Sequence, residues 1–296
     1  MTIEEKNLLE PYFKKYGASS CQHSVYLMTG LSMKYGDEYA LCEDVLFVHR
    51  SLLDEEGVRV YLAPLGDMKD PKHFIDMILN DAKEYDSKVK FFTVTEEFKS
   101  ILEEQYSGRF TYENSEDYAE YLYLAEDLRV LPGKALAAKR NRVRAFYSTY
   151  EGSVRIEDIC EDNLLDVILF QKAWIEDRLA EGYDEMLARE NEAIRYYLMH
   201  FDELEFKGIV VYVKSTVVGY AVGVALNDDC MDEVIEKGRR DITGIYQLLC
   251  NEFAILCCKD YTYINREEDL GMEGLRRAKR SYQPYRMIEK YIVTEL

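Results

Sequence analysis

Metal-ligand spacing is missing from this chain. Its seven cysteines include no C-x-x-C pair, and its four histidines, His23, His49, His73 and His200, lie far apart in sequence. A zinc or non-haem iron site is therefore not expected, and the cysteines read as reduced, mostly packed thiols. A G-x-G-x-x-G fingerprint and a Walker loop are also absent, which argues against dinucleotide-binding and P-loop folds. No low-complexity run occurs, so nearly the whole chain is expected to fold. The opening Met1-Thr-Ile-Glu-Glu-Lys has no apolar core region; no signal peptide is expected, and a cytoplasmic location follows. No transmembrane segment is expected either. The most apolar stretch, Gly208 to Leu226, is broken by Lys214-Ser215-Thr216 and reads as a hairpin of two buried strands. Positive charge is scarce: 37 Lys and Arg stand against 56 Asp and Glu, a formal net charge of −19. Such acidity opposes an extended nucleic-acid surface.

The basic residues that are present gather in two places. Between Lys134 and Arg144 lie Lys134, Lys139, Arg140, Arg142 and Arg144 with no acid, and between Gly274 and Arg286 lie Arg276, Arg277, Lys279, Arg280 and Arg286, again with no acid. On a helix, Lys139 with Arg142 and Arg140 with Arg144 form adjacent cationic rows while Leu136, Val143 and Phe146 face a core; Arg276, Lys279 and Arg280 repeat the pattern beside Leu275 and Ala278. A local positive element in an anionic protein focuses a phosphate or carboxylate ligand. The competing reading is two solvated helix faces.

With 296 residues, 48% of them hydrophobic, the chain can hold two domains. Apolar periodicity predicts helices through Leu8–Phe13 and Val25–Met28, strands at 39–42, 45–50 and 58–63, a helix after Pro71, a strand at 88–94, a helix at 96–106, and extended segments at 110–112 and 118–124. The second half repeats the order. After the basic helix come a strand at 154–156, helices at 164–179 and 186–201, the hairpin, a short strand at 233–237, a helix at 245–258, a strand at 261–265, the basic helix at 273–282 and a strand at 287–294. Hairpins mixed with helix crossovers indicate an α/β chain with mixed sheets, built as an internal duplication.

One segment carries the most chemistry. Asn265-x-Glu-x-Asp-x-Gly…Gly274-Leu-Arg-x-Ala-Lys-x-Ser-Tyr-x-Pro284, with Leu131-Pro-Gly-Lys…Lys139-Arg-Asn…Phe146 and the Gly219-Tyr strand, resembles the family built on the C-terminal domain of phosphatidylglycerol lysyltransferase, over essentially the whole chain. The resemblance implies a duplicated, GCN5-related N-acetyltransferase-like (GNAT-like) acyltransferase fold, shared with Fem-type aminoacyl transferases of cell-wall synthesis. One such domain would span residues 1–130; the second, residues 131–296, would carry the active site. It also implies acyl or aminoacyl transfer.

Acyl transfer needs a base, oxyanion stabilisation and an anchored donor. Glu267, Glu268 and Asp269 fall where a strand ends and a helix begins; paired carboxylates can raise one pKa towards neutrality, making Glu268 or Asp269 the candidate base. The alternative is that these acids only stabilise the helix start. Tyr282 is the candidate general acid, with packing as its alternative, and Asn265 is an acceptor-site candidate. Donor anchoring falls to Lys134, Lys139, Arg140, Arg142, Arg144, Arg276, Arg277, Lys279 and Arg280. Acetyltransferases of this superfamily hold the CoA pyrophosphate in a Q/R-x-x-G-x-G/A loop opening a helix. The corresponding stretch, Arg239-Arg240-Asp-Ile-Thr-Gly244, keeps an arginine and the last glycine but has Ile242 at the middle glycine; a helix start capped by Thr243 is the other reading. No tightly bound cofactor is expected. The co-substrate is a CoA ester or an aminoacyl-tRNA, the latter touching the protein through its acceptor end alone. A non-catalytic phospho-ligand-binding regulator would use the same cationic pocket. Charge reversal at Arg140 and Arg277 is expected to abolish ligand binding with little loss of stability.

Overall fold

The computed structural model describes residues 3–30, 35–182 and 184–296. Besides short 3-10 turns, its elements run α1 (Lys6–Tyr16), α2 (Val25–Gly30), β1 (Asp37–Cys42), β2 (Val45–Arg50), β3 (Val58–Tyr61), β4 (Leu65–Gly66), α3 (Pro71–Glu84), β5 (Lys88–Val94), α4 (Glu96–Gln105), β6 (Phe110–Asn114), β7 (Glu120–Leu124), α5 (Ala125–Val130) and α6 (Ala137–Thr149). They continue β8 (Val154–Asp158), α7 (Glu161–Ala180), α8 (Glu185–Met199), β9 (Lys207–Val213), β10 (Thr216–Ala225), β11 (Cys230–Gly238), α9 (Ile245–Leu256), β12 (Tyr263–Asn265), α10 (Glu273–Arg280), β13 (Arg286–Ile288) and β14 (Tyr291–Glu295). Among the described residues no helix is long and apolar enough to cross a membrane.

The chain forms two compact units. The first comprises residues 1–120, 268–272 and 287–296, and the second residues 121–267 and 273–286. The sequence reading put the boundary after residue 130 and left the whole remainder in the second domain. In the structure the break falls at Glu120, and two C-terminal segments return to the first unit.

In the first unit the strands run β1-β2-β3-β5-β14-β6, with β4 also on β2. Glu43 and Asp44 both take positive φ, 52° and 60°, the two-residue turn whose twist suits the β1–β2 hairpin. Helix α3 starts with Asp70 accepting from the His73 amide and Pro71 in the first turn. It buries Phe74, Ile75, Ile78, Leu79 and Ala82 while carrying the chain from β3 to the parallel strand β5. Strand β14 is antiparallel to β5 on one side and β6 on the other, and Val293 joins Val89, Phe91, Ile75 and Ile78 in the core.

The predicted final strand is in fact two, β13 and β14, parted at Glu289 and Lys290. Lys290 lies at the break, where the chain passes from one sheet to the other. Its fully buried ammonium sits 2.9 Å from Glu120 Oε1 and donates to Ser20 Oγ at 2.5 Å, and Ser20 in turn donates to Glu120 at 2.6 Å.

The second sheet runs β13-β7-β12-β11-β10-β9-β8. Strands β8 to β11 form an antiparallel meander, and α9 crosses from β11 to the parallel β12. Helix α9 lies hard against the sheet because the strands present glycine to it. A Cβ at Gly219 would meet Leu249 at 3.0 Å and Ile245 at 3.1 Å, and one at Gly223 would meet Phe253 at 2.6 Å. The predicted hairpin at 208–226 is present as β9 and β10, whereas β11 is longer than the predicted 233–237 and α5 was not foreseen.

His23 is buried in the first unit, and burial, helped by Lys290, pushes its pKa down to about 4 from 6.5. The folded imidazole stays neutral while the unfolded one takes a proton near pH 6.5. This contribution to stability is complete above pH 6.5 and lost as the pH falls towards 4, about 3 kcal/mol in all. Urea denaturation from pH 7 to 4 should show that slope, and His23→Gln should flatten it.

Candidate active site

Strand β11 keeps its parallel partner only briefly. Pairing with β12 covers Cys230–Tyr263, Met231–Ile264 and Asp232–Asn265. There β12 stops, because the Asn265 side chain accepts from the Glu267 amide at 2.8 Å and Glu267 turns the chain with φ of 53°. Beyond Asp232, β11 runs on without a β12 neighbour, and the gap receives the side chain of Arg266, the first residue after β12.

Two carboxylates meet that guanidinium. Opposite β10, the register jumps between Val222 and Gly223, so that Ile235 faces Val222 but Glu233 faces Gly223. The extra residue, Val234, is a β-bulge, and it brings Glu233 and Glu236, three apart, to the same side of the strand. Arg266 Nε pairs with Glu233, and its Nη2 pairs with Glu236 at 2.7 Å. Burial raises the Glu236 pKa well above its ordinary 4.5, and the neighbouring Glu233, to which it is hydrogen-bonded, adds to the rise against the pull of Arg266. A proton on Glu236 lessens the negative charge buried beside the single guanidinium.

Tyr282 closes over this group. Its ring centroid is 5.2 Å from the Arg266 guanidinium carbon and 4.1 Å from the Lys139 ammonium. Burial pushes the Tyr282 phenol far above its usual range, so it keeps its proton. Burial also raises the Cys250 thiol, which stays protonated beside the carboxylates. Burial lowers the pKa of the half-buried Lys139, with Arg266 and Arg142 pushing the same way and Cys250 and Glu236 opposing. Lys139 lies on α6 and Tyr282 just beyond α10, so the structure joins the two basic helices at this pair.

The remaining sequence-derived candidates divide by role. Lys134, Arg142 and Arg144 are exposed, as are Arg277 and Arg280, and Arg276 is half-buried. Lys279 is instead buried, its ammonium donating to the Arg266 carbonyl at 2.5 Å. Arg140 donates to the carbonyls of Leu131 and, at 3.3 Å, Gly133, tying the left-handed turn at Leu131 to α6. Arg239 is paired with Asp241 at 2.6 Å and Arg240 with Glu181 at 3.0 Å. Helix α9 opens on Gly244 at φ +88°, not on Thr243.

Glu268 and Asp269 belong to the first unit. Glu268 accepts from Gln22 Nε2 at 2.6 Å and from the Cys21 thiol at 3.6 Å. Asp269 is fully buried and accepts from the Gly271 amide at 2.9 Å, a turn-forming bond.

Among the described residues, Cys21, Glu120 and Glu268 in the first unit, and Glu233, Glu236 and Cys250 in the second, bring ligand-type atoms within 4.8 Å. In each trio a side-chain cation, Lys290 or Arg266, already faces the carboxylates. Sequence reasoning missed Glu233, Glu236, Arg266 and Cys250. The available signal was acids inside an otherwise buried strand, Asp232-Glu233-Val-Ile-Glu236.

Comparison with known proteins identifies the family and the fold. The family model described as phosphatidylglycerol lysyltransferase, C-terminal, matches residues 15–294. A conserved protein of unknown function from Bacteroides thetaiotaomicron is 28% identical with a TM-score of 0.93, covering 100% of this chain and 98% of its own. The C-terminal domain of a putative lysylphosphatidylglycerol synthetase from Agrobacterium fabrum is 12% identical with a TM-score of 0.69, covering 99% and 92%. FemX is 10% identical with a TM-score of 0.68, covering 100% and 96%. The last two show the fold, which is the expected acyltransferase-like one.

The expectation that Arg140 and Arg277 act alike is replaced by a sharper one. Arg140→Glu removes donors from the Leu131 turn and should cost ~1–3 kcal/mol, whereas Arg277→Glu, at an exposed position, should change stability by less than about 0.5 kcal/mol. Chemical denaturation of the two variants checks this.

Proposed function

Because the chain belongs to the phosphatidylglycerol lysyltransferase C-terminal family, we propose that it moves an acyl or aminoacyl group from an activated, phosphate-containing donor to an amine or hydroxyl acceptor. The donor is a CoA thioester or an aminoacyl-tRNA; the lysyl group in the name of the Agrobacterium neighbour fits the second. The observation that carries this reading is the buried Glu233–Glu236 pair clasped by Arg266 beneath Tyr282 and Lys139, with the Glu236 pKa raised by burial. A buried, perturbed, hydrogen-bonded charge cluster where two parallel strands part is costly to fold, and perturbed groups of this kind gather at reacting centres.

Each group has a role. Lys139, whose amine is brought nearer to neutrality by burial, removes the proton from the attacking amine or hydroxyl. The Tyr282 hydroxyl, which burial keeps protonated, donates a hydrogen bond to the oxyanion of the tetrahedral intermediate, in place of the general-acid role expected from sequence. Arg266 supplies the fixed positive field, and its ion pairs with Glu233 and Glu236 hold the guanidinium in place. The exposed Arg142, Arg144 and Arg277 draw in the donor phosphates.

The test is consumption of radiolabelled acetyl-CoA, longer acyl-CoAs and charged tRNA by the purified protein with a panel of amine and hydroxyl acceptors. One donor should lose its acyl group to an acceptor. Lys139→Met should then slow transfer ~10²-fold or more at unchanged stability, and Tyr282→Phe should slow it by about the loss of one oxyanion donor, ~10²-fold. A donor should also raise the melting temperature, since ligand at 100 times its Kd stabilises by about 2.7 kcal/mol. If no donor is consumed or bound, or if Lys139→Met transfers at the wild-type rate, the assignment fails.

A further inference from the structure

Lys139 is set in surroundings unlike those of most lysines in this acidic chain. Lys72, Lys90, Lys99, Lys172, Lys237 and Lys290 each meet a carboxylate within 4.0 Å. Among the described residues Lys139 meets none. Its ammonium rests instead on the Tyr282 ring, 4.1 Å from the centroid, and the Arg266 guanidinium lies 5.2 Å from the centroid of that same ring. One turn along α6, Arg142 adds another cation.

The balance of these neighbours favours the free amine. Burial weighs most, and Arg266 and Arg142 act with it to lower the Lys139 pKa against the pull of Cys250 and Glu236. The face of Tyr282 also favours the charged form, but the outcome is a lowered pKa. A half-buried lysine of this kind is a nucleophile as well as a base. The other candidate nucleophiles of the centre are silent, since the Tyr282 phenol and the Cys250 thiol keep their protons. Lys139 also shares its helix with Arg142 and Arg144, the exposed cations that draw in donor phosphates.

We propose that Lys139 is a self-acylation site, and that acylation there switches off the transfer reaction proposed above, on which this regulatory role rests, whenever an acyl thioester or aminoacyl ester arrives without an acceptor. The Nζ lone pair attacks the acyl carbon, the C–S or C–O bond breaks, and the departing thiol or hydroxyl carries away the amine proton. The product is an amide, which does not release its acyl group to an acceptor as an ester or thioester does. Acylation removes the charge and the contact with the Tyr282 face, and it leaves the centre without its base. Supply of acceptor thus decides whether Lys139 passes protons or is consumed.

The reactivity of the amine can be measured apart from the transfer reaction. The purified full chain is treated at pH 7 with a limiting amount of N-acetoxysuccinimide, an uncharged acetylating ester that needs no phosphate site, and the labelled lysines are located by peptide mass spectrometry. Lys139 should be acetylated at least about threefold faster than Lys134, which is exposed. Arg142→Met should slow labelling of Lys139 about twofold or more and leave Lys134 unchanged. A donor that the transfer assay consumes should, without acceptor, leave its acyl group on Lys139, and the acylated chain should transfer at least about tenfold more slowly at an unchanged melting temperature. The proposal is overturned if Lys139 labels no faster than Lys134, if Arg142→Met labels like the wild type, or if a donor that is turned over leaves Lys139 unmodified. Preferential labelling of Lys139 with no donor consumed would sink the transfer reading, and the regulatory role with it, while the reactivity of Lys139 stood.

Discussion

One guanidinium makes the interior of the second unit possible. Glu233 and Glu236 are on a strand packed on both sides, and without Arg266 each carboxylate would have to give up water for nothing. The cation offsets part of that cost, and the raised pKa of Glu236 offsets more by favouring its uncharged form. Several local features serve the same end. The bulge at Val234 turns both acids to one side, the side-chain cap at Asn265 ends β12 in time for Arg266 to turn inward, and Lys279 fastens the Arg266 carbonyl. Removing any of them would misplace the arginine, so this part of the chain is specified by charge as much as by apolar packing.

The two units use a common plan with different interiors. Each has an antiparallel run leading into a parallel pair bridged by a helix: β3, α3 and β5 in the first, β11, α9 and β12 in the second. In each the strand after the parallel pair comes from the other half of the sequence, β14 beside β5 and β7 beside β12. Each also buries a cation against carboxylate, Lys290 with Glu120 and Arg266 with Glu233 and Glu236. Buried pairs of this sort add little net stability but penalise wrong arrangements heavily. In chains whose halves are built alike, that penalty helps to keep each strand in its own sheet.

Much of the fold could be read from residue order. Short apolar runs rich in β-branched and aromatic residues located β2, β5, β9 and β10, and the 3.6-residue period with Pro71 located α3, because in these segments propensity and burial agree. The final strand misled because a lysine inside an apolar run looks like an exposed position, and only the distant Glu120 and Ser20 make Lys290 an interior residue. The site was legible in part. Clustered basic residues pointed to α6 and α10, and their meeting through Lys139 and Tyr282 follows from that pattern. Charge counting could not tell an arginine that recruits an anion from one that caps a turn, which is what Arg140 does. Nor could it find Arg266, since both carboxylates that define it lie about thirty residues earlier and reach it only through a bulge.

Strand β14 sits between β5 and β6, pairing Glu295 with Phe110 and Val293 with Phe91. A ribosome making this chain releases the rest of the first unit's sheet long before its inner strand. Until residue 295 has emerged, β5 and β6 expose the backbone edges that β14 will cover, together with the apolar face around Phe91 and Phe110. The second unit's strands β8 to β12 need no later residue to pair with one another. The half that is translated first is therefore the half that finishes folding last, and during synthesis its open edge is the surface most in need of a chaperone.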